Sequence, residues 1–190
     1  MTSGESKAET SMEKDFVEKL SKLGTGDIAI LKRNAGNTLA ESHGAIAGFY
    51  RIIPYGLPKY NEEIFFLVAT LYGLNKYPTS KNFDFGKTMR KVKDHPKSSE
   101  SVDKRIIALL DSDFDIIGSY HPGGGELAYR LRQCVKLANS KEVGVDWIKL
   151  LEDLQKWRND GKYVQKRWAK SYFGYQPAEE SKNQNETKKE

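Results

Sequence analysis

The spacing of apolar residues in the last third of the chain is the feature that most limits the fold. Trp147, Trp157 and Trp168 lie about three helical turns apart within the segment 146–173. The apolar positions between them recur every three or four residues, which is the period of a helix with one buried face. The segment therefore predicts two helices packed against each other, with Asp146 as the N-cap of the first.

The same period recurs along most of the chain, so the sequence predicts an all-α fold. Further helical stretches are predicted at 16–23, 28–35, 38–41, 45–53, 61–74, 86–92, 102–110 and 126–138. The run IFFLVATLYGL within 61–74 is apolar on every side, which is typical of a central buried helix. A β-strand over IFFLVAT is an alternative, although no second clear strand is present to pair with it.

Composition divides the chain into four parts. Residues 1–12 and 176–190 are polar and are predicted to be disordered, because they hold too few apolar side chains to order themselves. Residues 13–95 are predicted to form a small N-terminal helical domain, and residues 99–175 a C-terminal four-helix bundle. The boundary, or a hinge, is placed within residues 75–99, a stretch rich in Lys, Pro, Ser and Asn.

Several classes of protein do not fit this sequence. No window approaches about 18 uninterrupted apolar residues, so neither a transmembrane helix nor a membrane partner is expected. The N-terminus lacks the basic start and apolar run of a signal peptide, which predicts a cytoplasmic location. The single Cys134 excludes an intrachain disulfide and a cysteine-based zinc site, and is expected to be a buried thiol.

Catalytic and metal-binding patterns are also missing. The segment DSDFD at 111–115 has the alternating acids of a calcium loop, but the required Gly and Glu positions hold Ile116 and Pro122. The glycines at 123–125 are not followed by Lys and Ser or Thr, so they do not predict a phosphate loop. We expect no enzyme activity, no metal and no cofactor, and a nuclease that uses Asp111 and Asp113 is the weakest alternative.

The charge of the chain is concentrated in its body. Residues 16–175 hold 26 Lys and Arg against 18 Asp and Glu, a net charge of +8, whereas the whole chain has +5. A basic body attracts nucleic acid or an anionic membrane surface over long distances. Many soluble proteins have a similar charge, so charge alone leaves the nucleic-acid interpretation open.

Lysines and arginines also recur on single helix faces. Arg132 and Lys136 are four residues apart, as are Lys162 and Lys166, and such residues share a face. A basic face can neutralise successive phosphates without reading sequence. For any one such face, an ordinary solvated helix surface is the commoner outcome.

Several segments together resemble a known family. They are GDIAILKRNAG, GFYRIIP, FFLVATLYGL, DFGKTMRKV, SVDKRIIALLDSD, ELAYRLRQCVKLANS, VDWIKLLEDLQKW and VQKRWAKSYF. In order and spacing, from about Leu20 to Phe173, they resemble the small subunit of the type I-E CRISPR surveillance complex, Cascade, in the CasB family. The insert HPGGG and the long polar tail depart from the family pattern.

The resemblance implies a fold and a role. The fold is all-helical, with a small N-terminal domain and a C-terminal four-helix bundle. The role is non-enzymatic: the subunit would bind the backbone, large and guide-RNA-processing subunits, crRNA, target DNA and a second copy of itself arranged head to tail. Its basic surfaces would help hold the displaced non-target strand, which stabilises the R-loop. A scaffold that binds only proteins is the alternative.

The basic faces and the resemblance together give the candidate nucleic-acid-binding residues. These are Lys32, Arg33, Arg51, Lys87, Arg90, Lys104, Arg105, Arg130, Arg132, Lys136, Lys166 and Arg167. The family often has arginine where this chain has Lys104. Lysine keeps the charge but lacks the planar fork of arginine, which matters little for loose contact with a phosphate backbone.

Overall fold

A computed structural model describes residues 11–79, 81–97, 101–114 and 125–174. Within these residues the regular secondary structure is wholly helical. The helices are α1 Met12–Ser21, α2 Thr25–Arg33, α3 Ile46–Tyr50, α4 Glu62–Tyr72, α5 Phe85–Lys93, α6 Ser101–Asp111, α7 Glu126–Ser140, α8 Trp147–Gln155 and α9 Tyr163–Phe173. Single 3-10 turns at Lys59–Asn61 and Asp160–Lys162 lead into α4 and α9. The all-α fold predicted from the periodicity is confirmed.

Side-chain caps determine where three of the helices begin. Ser11 Oγ accepts a hydrogen bond from the backbone N–H of Lys14 at 3.3 Å, so α1 begins at Met12. Residues 11 and 12 are thus ordered at the start of a helix, although the sequence placed them in a disordered N-terminus. Asp84 and Asp146 cap α5 and α8 in the same way. Residues 1–10 and 175–190, which include the predicted disordered tail, lie outside the described residues.

The N-terminal half is built around α4. Residues Ile64 to Leu71 of this helix are all buried, as expected for an apolar run without a polar face. The ring of Phe16 in α1 lies edge-on to Phe65 of α4, with 4.9 Å between the centroids, and also meets Phe49 of α3. The short helix predicted at 38–41 is instead a turn in which Glu41 accepts a hydrogen bond from the Thr38 backbone.

The C-terminal half is built around the contact between α5 and α9. α5 packs chiefly against α9 and also meets α6 and α7. Gly86 makes this possible, because it has no Cβ where its backbone approaches that of Trp168. The sequence placed α5 in the N-terminal domain, but in the structure it packs with the C-terminal helices. The domain boundary between residues 95 and 99 stays a prediction.

α8 connects the two halves. It packs against α4 and α1 rather than chiefly within the C-terminal bundle. A polar chain strengthens this contact: Gln155 of α8 donates to Glu13 at 2.8 Å and accepts from Asn61 at 2.9 Å. Trp147 of α8 meets Tyr72 of α4, with 5.5 Å between the ring centroids. Apolar residues from both halves form one buried cluster.

We expect Gly86→Ala to destabilise the protein by about 1–3 kcal/mol, because overpacking forces packed backbones apart. A Cβ at this position would lie 2.7 Å from the Cα of Trp168. The matched control is Gly26→Ala in α2, where a new Cβ would have no neighbour within 4 Å. Urea unfolding should give the control a stability within about 0.5 kcal/mol of the wild type. Equal stability of the two variants would contradict this account of the α5–α9 contact.

Candidate nucleic-acid interface

The candidate cations differ in whether an acidic side chain neutralises them. Four form ion pairs: Arg51 with Asp27 at 3.0 Å, Arg90 with Asp94 at 2.9 Å, Arg130 with Glu126 at 3.5 Å, and Arg167 with Asp153. The other eight have no ion pair within the described residues: Lys32, Arg33, Lys87, Lys104, Arg105, Arg132, Lys136 and Lys166. All of these except Arg132, which is half-buried, are exposed. The unpaired group therefore has the charge most available to an external anion.

Arg167 neutralises a buried acid. Its partner Asp153 is only 1% exposed, and the indole N–H of Trp168 donates to the same carboxylate at 2.7 Å. Lys149 Nζ also lies 3.4 Å from this carboxylate. Burial disfavours the charged form of Arg167, but the hydrogen bond and charge of Asp153 outweigh it and raise the pKa of the arginine. The main contact of Arg167 is thus inside the protein, although its spacing resembles that of a surface cation.

Arg90 also makes internal contacts. Its guanidinium binds Asp94 and donates to the backbone carbonyl of Tyr172 at 3.2 Å, which joins α5 to α9. Nearby, the Tyr172 hydroxyl and Lys93 both donate to Asp103 of α6. These hydrogen bonds lower the pKa of the Asp103 carboxyl, whereas burial and the same carboxylate raise the pKa of the Tyr172 hydroxyl. The network stabilises the contact of three helices.

α6 and α7 carry cations close to the contact between the two helices. Cys134 of α7 faces α6, with its sulfur 4.0 Å from the carbonyl of Arg105, and both Arg105 and Arg130 are close enough to act on this thiol electrostatically. The thiol is buried as the sequence predicted, and burial raises its pKa to about 12. Arg105 of α6 and Arg130 of α7 therefore both lie near this buried thiol.

The remaining candidates lie on other faces. Arg132 is two residues from Arg130, so it points about 200° around α7, near Lys136 rather than Arg130. Lys32 and Arg33 lie in the last turn of α2, in the N-terminal half. Basic side chains at this position also stabilise a helix by interacting with the negative end of its dipole. Arg132 and Lys136 thus share a face of α7, and the candidates are spread over several helices rather than gathered on one.

Lys87 on α5 is among the candidates named from the sequence, but Lys91, one helical turn further on, was missed. Lys87 and Lys91 are four residues apart and both are exposed. The ring of Phe83 lies beside both, with Lys91 Nζ 4.5 Å and Lys87 Nζ 5.9 Å from its centroid. The spacing of the lysines could have identified Lys91. The position of the Phe83 ring beside them could not have been found, because it depends on how the turn before α5 directs the ring.

The described residues also bear on metal binding and on a membrane span. There, no group of three or more His, Cys, Asp or Glu side chains is placed to hold a metal ion. Asp111 and Asp113 of the acidic segment are both exposed, while Asp115 and residues 116–124, with the first two glycines of the insert, lie outside the described residues. None of the described helices is both long enough and apolar enough to cross a bilayer.

Comparison with known proteins identifies the family. The family model for CRISPR-associated protein Cse2 matches residues 27–173, which include α3 to α9 and most of α2. The chain belongs to the Cse2 family. A curated Cse2 protein from Thermus thermophilus is 37% identical over 121 residues, which are 63% of this chain and 62% of that protein. The chain thus aligns with somewhat less than two thirds of this relative.

Solved structures of Cse2-type proteins share the fold. M. ruber CasB superposes with a TM-score of 0.68 at 27% identity, over 87% of this chain and 94% of that one. A chain from a structure described as a CRISPR RNA-guided surveillance complex has a TM-score of 0.67 at 18% identity, over 86% and 92% of the two chains. The resemblance to the CasB family that the sequence motifs indicated is confirmed. At 18% identity, the second similarity shows the fold alone.

We expect Arg167→Ala to destabilise this Cse2 family protein by about 1–3 kcal/mol, because it removes the main cation from a buried carboxylate. The expected loss of stability is smaller than for a fully buried ion pair, because the arginine side chain is 27% exposed. The neighbouring Lys166→Ala is the control, with an expected change within about 0.5 kcal/mol. Urea unfolding measures both. If Arg167→Ala were as stable as the control, Arg167 would not be needed to neutralise Asp153 and would remain a candidate for binding an external anion.

Proposed function

We propose that this protein is a non-catalytic small subunit of a CRISPR Cascade complex and that it contacts target DNA through its exposed basic side chains. Membership of the Cse2 family supports the first part, as does the similarity in fold to a chain of a CRISPR RNA-guided surveillance complex. The observation that carries the second part is the group of eight candidate cations without an acid partner in the described residues. A polyanion can reach these charges without breaking an internal ion pair.

The proposed contacts stabilise rather than read the nucleic acid. Lys and Arg side chains that bind phosphates release counterions and provide affinity that does not depend on sequence. Guide–target pairing is nearly balanced against re-annealing of the DNA duplex, so a few such contacts on the displaced non-target strand shift the balance towards the R-loop. Sequence specificity then comes from the guide RNA.

The same proposal includes protein partners. The subunit would bind the backbone, large and guide-RNA-processing subunits, together with crRNA, and would pair head to tail with a second copy in the cytoplasm. Exposed apolar side chains are suited to such contacts: Tyr55 and Tyr60 are 102% and 80% exposed, and Ile46 of α3 is 47% exposed. These residues favour the second candidate function, a scaffold whose basic faces meet acidic partner surfaces.

A salt series with the isolated protein separates the two functions. If the basic faces bind phosphates directly, affinity for single-stranded and duplex DNA should fall steeply as salt rises, with a log–log slope of about −0.7 to −0.9 for each phosphate contact. No cleavage should occur when Mg²⁺ or Mn²⁺ is present. Absence of binding at low salt would favour the scaffold, whose basic faces meet acidic surfaces of partner proteins instead of DNA. Metal-dependent cleavage would contradict the non-catalytic role.

Charge reversal tests the contact in the assembled complex. We expect Arg105→Glu with Arg132→Glu to weaken R-loop formation about tenfold or more, because two helices, α6 and α7, each lose a cation and gain an anion. The control is Lys14→Glu with Lys59→Glu, two exposed lysines outside the candidate group that change the net charge equally. R-loop lifetime is measured after confirming subunit assembly and helix content. Equal lifetimes for the two double variants would exclude Arg105 and Arg132 as DNA contacts.

A further inference from the structure

The basic group on α5 differs from the other cations of the described residues because two of its lysines lie beside one and the same aromatic ring. Lys91 Nζ is 4.5 Å and Lys87 Nζ is 5.9 Å from the centroid of Phe83. A cation within about 6 Å of an aromatic ring is attracted to the negative face of the ring. Because both distances refer to one ring, the two ammonium groups are close enough to face the same short stretch of a polyanion.

The backbone that carries this ring is anchored to a neighbouring helix. Phe83 is half-buried, and its backbone N–H donates to Asp146 Oδ2 at 3.3 Å, which joins the start of α5 to the start of α8. Asp146 also caps α8. It is one of two acidic residues that accept hydrogen bonds near the start of α5. The other, Asp84, caps α5 and accepts from Ser171 at 2.7 Å. Both carboxylates are occupied by these bonds, and neither forms an ion pair with Lys87 or Lys91.

We propose that Phe83 is a positioning residue that holds Lys91 and Lys87 as a pre-ordered pair of cations for neighbouring phosphates of a nucleic-acid strand. This inference rests on the proposed function. It identifies Phe83 as a residue that contributes to DNA binding by positioning Lys87 and Lys91. A free lysine side chain loses considerable conformational entropy when it is fixed on a phosphate. A ring that already restricts the two lysines reduces that loss, and thereby raises affinity without adding a charge.

The first test measures the pairing without nucleic acid. Protons that lie over an aromatic face are shifted upfield in NMR spectra, so the ε-methylene protons of Lys91 should resonate upfield of those of exposed lysines, with a smaller shift for Lys87. Phe83→Leu, which keeps the apolar bulk, should abolish both shifts, and Phe83→Tyr should keep them. Ordinary lysine shifts in the wild-type chain would overturn the inference.

The second test measures single-stranded DNA binding by the full-length chain over a salt series. Phe83→Leu should weaken binding about two- to fivefold while the salt slope stays unchanged, because both cations are still present. Lys91→Ala should weaken binding and also reduce the slope by about 0.7, the share of one phosphate on a single strand. Phe83→Tyr, which restores the ring, should bind like the wild type.

Phe114→Leu is the matched control. It removes a ring that lies 4.2 Å from the guanidinium of Arg158, a cation outside the proposed interface, and it should leave affinity unchanged. Wild-type affinity of Phe83→Leu, or a fall in its slope as large as that of Lys91→Ala, would overturn the positioning role while the proposed function stands. A wild-type chain that binds no DNA would overturn both the positioning role of Phe83 and the proposed DNA contact. This result can be told apart from the two results that concern Phe83→Leu.

Discussion

The close approach of α5 to α9 at Gly86 is the constraint on which the C-terminal half depends. Because a glycine lies against the backbone of Trp168, the two helices come close enough for Phe85 to meet the Trp168 ring, with 5.2 Å between the centroids. The same approach brings Arg90 to the carbonyl of Tyr172 and Ser171 to Asp84. α5 then presents its opposite face, with Lys87 and Lys91, to the outside.

This packing also decides which cations are free. Where a helix faces a buried acid, as α9 does at Asp153, the arginine on that face becomes part of the interior. Where a helix faces outwards, the cation keeps its charge for a ligand, as Lys104 of α6 and Lys166 of α9 do. The unpaired positive surface of the described residues is thus smaller than the number of basic residues suggests, and it is spread over several helices.

The helices were largely predictable, because burial on one side leaves a regular trace in the order of apolar and polar residues. The buried α4, the cap at Asp146 and the buried Cys134 were expected for this reason. The partners of α5 were not, since a short, strongly basic helix carries few apolar residues that could indicate what it packs against. Ion pairs could not be predicted from the sequence either. Lys166 and Arg167 are adjacent, but only the fold shows that Asp153 lies beside Arg167.

The three tryptophans lie in two different surroundings, which makes them optical reporters of different parts of the fold. Trp147 meets Tyr72 where α8 joins α4, so its emission reports on the contact between the two halves. Trp157 and Trp168 lie edge-on at 5.0 Å within the C-terminal half, and Trp168 donates to a buried carboxylate. Variants that retain one indole at a time would therefore show whether assembly with partner subunits loosens the junction between the halves or the C-terminal helices themselves.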